Sequence, residues 1–482
     1  MAIPERSNQW LKWSIAVYAL AAWFSGGYFS FDEHFQLLEF AGYRLGLTPA
    51  EALPWEHAAR IRPSLQPAIV IGLWQLLDVI GLADPFAIVT FLRFVSGGLA
   101  LWAGWQLVRL YEPEINHQPL RQWLAPLVLL CWLGVFVHVR YSSENWSGLF
   151  FLLGYCTLLS TAEGRAGRYA AAGLLLGLSF VFRYQAAFLI AGLGLWLALA
   201  RRDAPGKLAV TALAGLATVA IGVAVDRWYY GEWTFTAWRY FEQNLIEGKA
   251  AEYGVSPWWY YFGAVFVALI PPFSLVYLSG WALVNRYEAR NPMVWATLPF
   301  LVVHSLIGHK EGRFLFPIVA FAPVFAIYGL ELWARRRPGF IAWINGLWGR
   351  RLSRAFWYVN LAALAVVCLK APDDQHAVHR YLYRHQPEPA TLYLIEGEAN
   401  ATFANAWYYR RPGLVLKEIA APEAIPAGVA GPQLLMTSNP RLARELDGRY
   451  ERVFASFPDW IRLFNFNGWL DRTPFWRIYR LN

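Results

Sequence analysis

The sequence predicts an α-helical integral membrane protein with about eleven transmembrane helices, followed by a small C-terminal α/β domain. Hydrophobic residues make up 57% of the 482 residues and charged residues only 16%, which is far from the balance of a soluble domain. Apolar runs of about 15 to 25 residues recur as far as Leu369 and alternate with short charged connections, as in polytopic helical proteins. The 26 tryptophans fit the aromatic belts that such proteins place at the membrane interfaces.

The transmembrane part is predicted from the apolar runs. These are Trp13–Phe29, Pro67–Leu82, Phe86–Val108, Trp123–Val139, Trp146–Leu159, Tyr169–Phe182, Ala186–Ala200, Leu208–Val225, Trp259–Leu283, Val294–Ile307, Phe314–Leu332 and Phe356–Leu369. Basic connections at 165–168, 201–207, 286–290 and 335–351, together with a basic N-terminus, favour a cytoplasmic N-terminus and an outer C-terminus. That topology needs an odd number of spans. We therefore expect the short segment 67–82, which is bounded by proline and carries Asp78, to form a re-entrant or interfacial hairpin.

The predicted domains follow from this topology. Residues 1–371 form the transmembrane domain, with a first external loop at 31–66 that contains amphipathic helices and a large external loop at 226–258. Residues 372–482 form a soluble extracytoplasmic domain, in which short alternating segments at 391–395, 413–416 and 434–436 predict strands. The three cysteines lie in apolar runs and are interpreted as small buried hydrophobes. The net charge of +9 lies in short loops, so membrane topology explains it and no nucleic-acid partner is expected.

Two charged clusters interrupt the apolar pattern. Asp32-Glu33-His34 follows the first apolar run, and His309-Lys310-Glu311-Gly312-Arg313 separates two later runs. Ionisable groups at membrane depth are costly unless they pair or bind a charged ligand. Carboxylates in one cluster and cations in the other indicate an enzyme that deprotonates a hydroxyl and stabilises a phosphate leaving group. The predicted topology places both clusters on the outer face, together with Arg140–Asn145 and Arg183–Gln185.

Five short motifs carry a resemblance to a known family. They are Phe31-Asp32-Glu33-His34-Phe35-Gln36; Pro54-Trp55-Glu56 with Ile61-Arg62-Pro63-Ser64; Asp226 to Thr236 with Tyr230-Gly231 and Trp233; Asn244 to Tyr260 with Tyr253-Gly254 and Pro257-Trp258-Trp259; and His309 to Pro317. In this order they resemble the motifs of glycosyltransferase family 22. These are the polyprenyl- or dolichyl-phosphate-mannose-dependent mannosyltransferases of GPI anchors and lipid-linked oligosaccharides, and this chain looks like a bacterial-type member. The first motif departs from the family, which has His-Pro where Ser30-Phe31 stands here, and Arg140 to Asn145 departs from the eukaryotic form.

The resemblance implies a GT-C fold and an inverting transfer of mannose from a polyprenyl-phosphate donor. The acceptor would be a hydroxyl of a glycolipid or lipid-linked glycan, and membrane lipids are the other expected partners. Asp32 is the expected general base, and Glu33 positions the acceptor or shares the proton. A structural alternative is that both residues cap an amphipathic helix His34–Tyr43. Because the leaving phosphate already carries its charge and no Asp-x-Asp motif stands in an outer loop, we expect neither a metal nor another cofactor.

The remaining candidate site residues divide into two groups. The donor phosphate is expected to bind His309, Lys310, Arg313, Arg183 and Arg93. Contacts to the acceptor or the sugar are expected from His34, Arg140, Glu144, Gln185, Tyr253 and Trp258. Structural alternatives remain: Arg93 pairing with Asp78 or Asp84, Arg140 and Glu144 capping helices, Lys310 and Arg313 in a self-satisfied headgroup turn, and the aromatic residues anchoring the interface.

The expected location is a bacterial inner membrane, with the active site facing the periplasm or exterior. Two alternatives to mannosyl transfer stay open. One is a GT-C transferase of another sugar or to protein. The other is a polyprenyl-lipid flippase or transporter, which would usually place polar residues near the bilayer midplane within repeated halves.

Overall fold

The computed structural model describes residues 5–160, 166–373, 375–386, 389–398, 401–426, 431–457, 459–470, 472–473 and 475–481. Residue 165, in one of the basic connections, lies outside these ranges. The chain forms two compact units. The first combines Met1–Ser25, Trp55–Ile69 and Val89–Lys370, and the second combines Gly26–Pro54, Val70–Ile88 and Ala371–Asn482. The second unit therefore contains more than the C-terminal segment, because it includes the acidic motif and part of the loop predicted at 31–66.

Helices make up almost all of the chain before Ala371. They are α1 (Glu5–Phe24), α2 (Phe31–Phe35), α3 (Leu38–Arg44), α4 (Trp55–Ala59), α5 (Leu65–Asp78), α6 (Pro85–Tyr111), α7 (Gln118–Leu130), α8 (Trp132–His138), α9 (Ser143–Leu159), α10 (Ala166–Phe182), α11 (Ala187–Leu195), α12 (Pro205–Tyr230), α13 (Thr236–Phe241), α14 (Lys249–Glu252), α15 (Tyr260–Ala268), α16 (Ser274–Tyr287), α17 (Pro292–Leu306), α18 (Phe321–Arg336), α19 (Gly339–Asn345) and α20 (Leu347–Leu369). The π-helical turns Trp196–Ala200 and Glu242–Ile246 continue α11 and α13, and a 3₁₀ segment, Gly312–Ile318, precedes α18.

Four of the described helical segments are long and apolar enough to cross a bilayer: Pro85–Glu114, Gln118–His138, Pro205–Tyr230 and Leu347–Leu369. The segment Gly312–Ile318 and α18, bent by 68°, add a fifth if the pair acts as one span. Shorter apolar helices of 10–17 residues rise only about 15–26 Å, less than the roughly 30 Å hydrocarbon core. By length and composition alone, the described residues supply four or five spans, fewer than the eleven predicted.

Two predicted segments differ from the structure. Helix α5 covers 67–78 without a break and ends at Asp78, so the segment 67–82 does not form the predicted hairpin. The run Trp259–Leu283 is not one helix, because α15 ends at Ala268 and α16 begins at Ser274. Between them Pro271 and Pro272 lack backbone N–H donors, and Ile270 has a left-handed conformation with φ +58°. Apolar composition predicted both segments as buried in a membrane, but it did not determine where each helix would end.

The core of the first unit is a continuous apolar cluster drawn from most of its helices. Helices α16 and α18 cross at Gly280 and Gly329, where a Cβ added to Gly329 would lie 2.3 Å from the Cα of Gly280. Only glycine permits this separation of the two backbones. The three cysteines, Cys131, Cys156 and Cys368, are free and buried, as predicted.

The second unit contains a five-stranded mixed sheet. Its strands are β1 (Ala390–Ile395), β2 (Leu414–Ile419), β3 (Gln433–Thr437), β4 (Glu451–Ala455) and β5 (Arg477–Leu481), in the order β2-β1-β3-β5-β4. Strand β1 runs parallel to β2 and β3, whereas β5 is antiparallel to β3 and β4. Helices α21 (His376–His385), α22 (Ala401–Asn405) and α23 (Pro440–Leu446) belong to the C-terminal part of this unit, which also contains α2 and α3. The predicted α/β domain is confirmed. The strands β4 and β5 escaped prediction because arginine and glutamate interrupt their apolar alternation.

Candidate active site

Two arginines from distant parts of the first unit share one buried carboxylate. Glu144 Oε1 lies 3.1 Å from Arg183 Nη1 and accepts a hydrogen bond from Arg313 Nη1 at 3.0 Å. Glu311 occupies the other edge of Arg313, accepting from its Nε at 2.6 Å and its Nη2 at 2.9 Å. We call these four residues the arginine–glutamate cluster. The side chains of Glu144, Arg183 and Arg313 are at most 10% exposed, so their charges compensate one another away from bulk water.

The cluster assembles where helices begin and end. Glu144 stands in the first turn of α9, whose N-terminus is capped by Ser142, and a carboxylate is favoured there by the helix dipole. Arg183 follows the last residue of α10, and Glu311 precedes the 3₁₀ segment that contains Arg313. Residues at helix ends in three separate segments therefore meet, which explains how charged groups so far apart in sequence form one site.

Arg183 is the cluster residue best placed to bind an anion. It uses Nη1 for both of its polar contacts, to Glu144 and to Ser143 Oγ at 3.1 Å. Among the described residues, its Nε and Nη2 donate to no protein acceptor, whereas all three nitrogens of Arg313 are engaged. The ring of Phe314 lies 5.5 Å from the Arg183 guanidinium and supports its charge from one side. An arginine with donors to spare is suited to a phosphate oxygen.

Lys310 is satisfied by the protein itself. Its ammonium donates to the carbonyl oxygens of Ser256 at 2.8 Å, Ile307 at 2.5 Å and Gly308 at 3.3 Å, which uses all three of its donors. The residue is 6% exposed, and removal from water lowers its pKa below the ordinary value for lysine. In this conformation Lys310 fastens the loop 226–258 to the turn that carries the cluster. Direct phosphate binding would require it to give up at least one carbonyl.

His309 links the same loop to the arginine–glutamate cluster. Its Nδ1 lies 3.0 Å from the carbonyl oxygen of Gly254, and its Nε2 lies 3.0 Å from Glu311 Oε1. The ring of Tyr253 is 6.0 Å away, and the Tyr253 hydroxyl accepts a hydrogen bond from Trp55 Nε1 at 2.6 Å. His309 and Tyr253 therefore connect three segments of the first unit.

The other predicted residues of this unit lie in separate surroundings. Gln185 donates from Nε2 to the hydroxyl of Tyr240 at 2.5 Å. The guanidinium of Arg140 is buried and lies 4.2 Å from the ring centre of Phe136. Trp258 is 65% exposed, in keeping with an interfacial anchor.

Arg93 belongs to the junction with the first helix. Its Nη2 donates to the carbonyl oxygen of Ala21 at 3.0 Å and to Ser25 Oγ at 2.6 Å, both near the C-terminal end of α1. Of its two suggested ion-pair partners, Asp84 instead caps α6 by accepting from Ala87 N at 2.7 Å. Arg93 is only 3% exposed. This burial and the hydrogen bonds to α1 favour a structural role.

A third set of bonds explains the motif from Asp226 to Thr236. Asp226 is 3% exposed and accepts hydrogen bonds from Ser64 N at 2.8 Å, Ser64 Oγ at 2.7 Å and Thr236 Oγ1 at 2.7 Å. The Tyr230 hydroxyl donates to the carbonyl oxygen of Arg62 at 2.8 Å. Gly231 ends α12 with φ +81°, a conformation that glycine adopts without a steric penalty. The motif therefore fastens the end of α12 to the segment around Ser64.

In the second unit, the acidic motif forms the short helix α2. Asp32 and Glu33 stand in its first turn, where their charge is favoured, and Asp32 is half-buried. Glu33 Oε2 accepts a hydrogen bond from Phe29 N at 3.2 Å. The predicted helix His34–Tyr43 is instead divided, because α2 ends at Phe35 and α3 begins at Leu38.

His34 is enclosed and not open to an acceptor. Its Nε2 lies 2.6 Å from Glu39 Oε1, both side chains are fully buried, and the rings of Tyr28 and Tyr409 lie 5.3 and 5.1 Å away. Glu39 also accepts from Thr48 Oγ1 at 2.6 Å and from the backbone N–H of Tyr408 at 3.1 Å. The predicted contact of His34 with acceptor or sugar does not fit this burial. His34 and Glu39 instead join the helix that carries Asp32 to the C-terminal segment.

Further histidines surround this buried pair. The ring of His376 lies 5.6 Å from that of Tyr409, and His379 stacks on Phe403 at 4.3 Å. Burial, together with the charges of His34, His376 and Arg410, lowers the pKa of His379 well below its usual value. His379 therefore stays neutral at physiological pH and acts as an aromatic packing residue.

Comparison with known proteins assigns the family. Residues 10–395 match the Alg9-like mannosyltransferase family, which covers all five motifs and both charged clusters. The chain belongs to this family. The predicted family is thereby confirmed, and so is the expectation that its relatives are glycosyltransferases.

Named relatives of this Alg9-like protein include GPI mannosyltransferases. The human GPI alpha-1,2-mannosyltransferase 3 is 24% identical over 311 residues, which cover 62% of this chain and 53% of the human protein. GPI mannosyltransferase 3 of Yarrowia lipolytica is 29% identical over 327 residues, covering 66% and 61% of the two chains. The chain thus aligns with little more than half the length of these relatives.

The fold resembles that of a solved membrane protein. ArnT from Cupriavidus metallidurans, in a crystal structure bound to undecaprenyl phosphate, superposes with a TM-score of 0.57 at 10% sequence identity. The match covers 99% of this chain and 98% of ArnT. At this identity the similarity concerns the fold, and it confirms the predicted GT-C membrane architecture with its C-terminal domain.

Some residues singled out in the sequence of this Alg9-like chain belong to the candidate site, and others hold segments of the structure together. Glu144, Arg183 and Arg313 were expected to contribute to one site and do lie together. The role of Glu39 was not predicted, although a single carboxylate within the apolar stretch 37–41 is the usual sign of a buried, paired acid. Asp226 and Thr236 were recognised as motif residues, but their bond to each other became evident only in the structure.

Proposed function

We propose that the protein is an inverting mannosyltransferase that uses a polyprenyl-phosphate-mannose donor. The acceptor is a hydroxyl of a glycolipid or lipid-linked glycan, and transfer takes place on the extracytoplasmic side of a bacterial inner membrane. The observation that carries the proposal is the arginine–glutamate cluster, in which Glu144, Arg183 and Arg313 are buried, in a chain of the Alg9-like family.

The cluster has the chemistry that a departing lipid phosphate requires. Two carboxylates balance two guanidiniums, and Lys310 adds one positive charge close by. In the proposal Arg183 donates from Nε and Nη2 to the phosphate, while Glu144, itself held by Arg313, keeps the Arg183 guanidinium in place. Preorganised donors in a site shielded from water stabilise developing charge without reorganising during the reaction. The undecaprenyl phosphate bound to the ArnT fold is consistent with a ligand of this chemical class.

Asp32 is the proposed general base. Its carboxylate removes the proton of the acceptor hydroxyl as that oxygen attacks the anomeric carbon of mannose. The bond between that carbon and the phosphate oxygen breaks, and its electron pair leaves with polyprenyl phosphate. A single displacement inverts the anomeric configuration, so a β-linked donor yields an α-mannoside. Glu39 is proposed to position the helix that carries Asp32, because it bonds His34 of that helix and accepts a hydrogen bond from Tyr408 N.

Two variants test the two halves of the proposal separately. Asp32→Asn should abolish transfer and leave the affinity for polyprenyl phosphate unchanged, because only the proton acceptor is lost. Arg183→Gln should weaken that affinity, because the guanidinium is lost. The exposed residues Asp78 and Arg441 supply the matched controls Asp78→Asn and Arg441→Gln, which should behave as wild type.

The assay measures transfer of radiolabelled mannose and binding of polyprenyl phosphate by the purified, reconstituted protein. Full transfer by Asp32→Asn would remove the base assignment. Unchanged lipid-phosphate affinity in Arg183→Gln would remove the phosphate assignment. Movement of the intact donor across the membrane without cleavage of its sugar–phosphate bond would instead identify a flippase.

A further inference from the structure

The helix α13 and its π-helical continuation to Ile246 are amphipathic, but the apolar face is exposed and the polar face contacts the protein. Trp238, Phe241, Leu245 and Ile246 are 43–62% exposed and lie at spacings that form one helical face. In a helix that packs on a soluble core, such an apolar face points inward. Here the large apolar side chains point away from the protein.

The polar face of this segment is the one bound to the protein. The Tyr240 hydroxyl accepts a hydrogen bond from Gln185, and the Tyr240 ring lies 5.8 Å from that of Tyr184 and 5.5 Å from the Arg62 guanidinium. Asn244 Nδ2 donates to the carbonyl oxygen of Tyr240 at 2.9 Å. The outward direction of the apolar face is therefore fixed by specific contacts on the opposite side of the helix.

The apolar face lies next in the chain to a helix whose length, composition and exposure suit contact with lipid. Helix α12, separated from α13 by five residues, is long and apolar enough to span a bilayer, and only 11% of its most apolar part is buried. Trp233 and Phe235, in the connection between the two helices, are 73% and 53% exposed. Contact of so many exposed apolar side chains with water would be unfavourable. The acyl chains that surround a membrane-spanning α12 would bury these side chains instead.

We propose that the segment Thr236–Ile246 lies in the bilayer interface at the end of α12 that carries Tyr230. Its apolar face rests among the acyl chains of the bilayer lipids, and its polar face holds the protein. Tryptophan and phenylalanine facing lipid, with the exposed Arg239 able to reach the headgroups, match the composition of interfacial helices. This inference does not depend on the proposed transfer reaction.

Spin labels on the full-length protein in phospholipid nanodiscs test the inference. A nitroxide is attached at Phe241→Cys or Leu245→Cys, and the native cysteines are buried. Glu252→Cys, an exposed polar position in the same external loop, is the matched control. Collision with oxygen, which concentrates in the hydrocarbon, is compared with collision with a water-soluble nickel chelate. Positions 241 and 245 should collide with oxygen and lose collision with nickel, and position 252 should show the opposite preference.

Two results would overturn the inference. If nickel relaxes the labels at 241 and 245 as strongly as the label at 252, the face is in water. If both reagents are excluded from 241 and 245, a protein partner covers the face. Two label sites are used so that one variant that fails to fold, judged by its size-exclusion profile, does not decide the outcome.

Discussion

Replacing Glu144 by glutamine removes the one negative charge that Arg183 and Arg313 share. Glutamine keeps the shape of the side chain and one acceptor oxygen, so the hydrogen bond from Arg313 Nη1 and the close approach of Arg183 Nη1 can both persist. The change therefore isolates the contribution of charge. Because Glu144 is 2% exposed and the two guanidinium side chains 7% and 10%, water cannot replace the lost carboxylate.

The expected decrease in the free energy of unfolding follows from the number of contacts that lose a charged partner. A polar contact to a charged partner contributes about 1.5–3 kcal/mol and one to a neutral partner about 0.5–1.5 kcal/mol, so the hydrogen bond from Arg313 and the ion pair with Arg183 together should lose roughly 2–3 kcal/mol. Glu144→Ala should cost more, about 3–5 kcal/mol, because it leaves two buried cations without their acceptor. The affinity for polyprenyl phosphate should not fall in Glu144→Gln, because the site gains net positive charge.

The free energy of unfolding is measured by reversible titration with sodium dodecyl sulfate, using the reactivity of the buried cysteines to follow unfolding. The exposed Glu51 gives the control Glu51→Gln. A Glu144→Gln protein within about 0.5 kcal/mol of wild type, the usual effect of a surface substitution, would refute the shared-charge reasoning. Weaker lipid-phosphate binding in the same variant would refute the proposal that positive charge in the cluster binds the donor phosphate.

Two other variants test positioning roles. Glu39→Gln should lower the rate of mannose transfer more than the donor affinity, because it weakens the bonds to His34 and Tyr408 that hold the helix carrying Asp32; a rate equal to wild type would argue against this role. Lys310→Met should speed trypsin cleavage after Lys249, because the loop 226–258 loses its anchoring ammonium, and should reduce phosphate affinity less than Arg183→Gln does. Unchanged cleavage with a larger loss of affinity would make Lys310 a direct phosphate ligand.

Local pattern was sufficient to predict the class of the fold. The apolar runs predicted membrane helices because hydrocarbon accepts backbone groups only when they are paired within a helix. The alternating segments predicted strands of the C-terminal domain, and three of its five strands were found. Strand β5 was not predicted although its side chains are mostly buried, because Arg477 and Arg480 give it the polarity of a surface segment.

Residue type also predicted which charged groups would belong to a site. Glu144, Arg183 and Arg313 were selected because ionisable residues beside apolar runs must find partners. Their mutual arrangement was not predictable, since the three are separated by 39 and 130 positions in the chain. Bonds between such distant residues depend on how the helices pack, and no local pattern encodes that packing.

The sequence by itself determined that this is a membrane protein of helical architecture, that it belongs with the Alg9-like mannosyltransferases, and which residue types its chemistry uses. Only the tertiary structure decided that Arg183 keeps donors available, that Lys310 spends its donors on backbone carbonyls, and that His34 is enclosed with Glu39. The physical reason is that composition and periodicity report what a residue prefers. Which partners satisfy it depends on atoms brought together by folding.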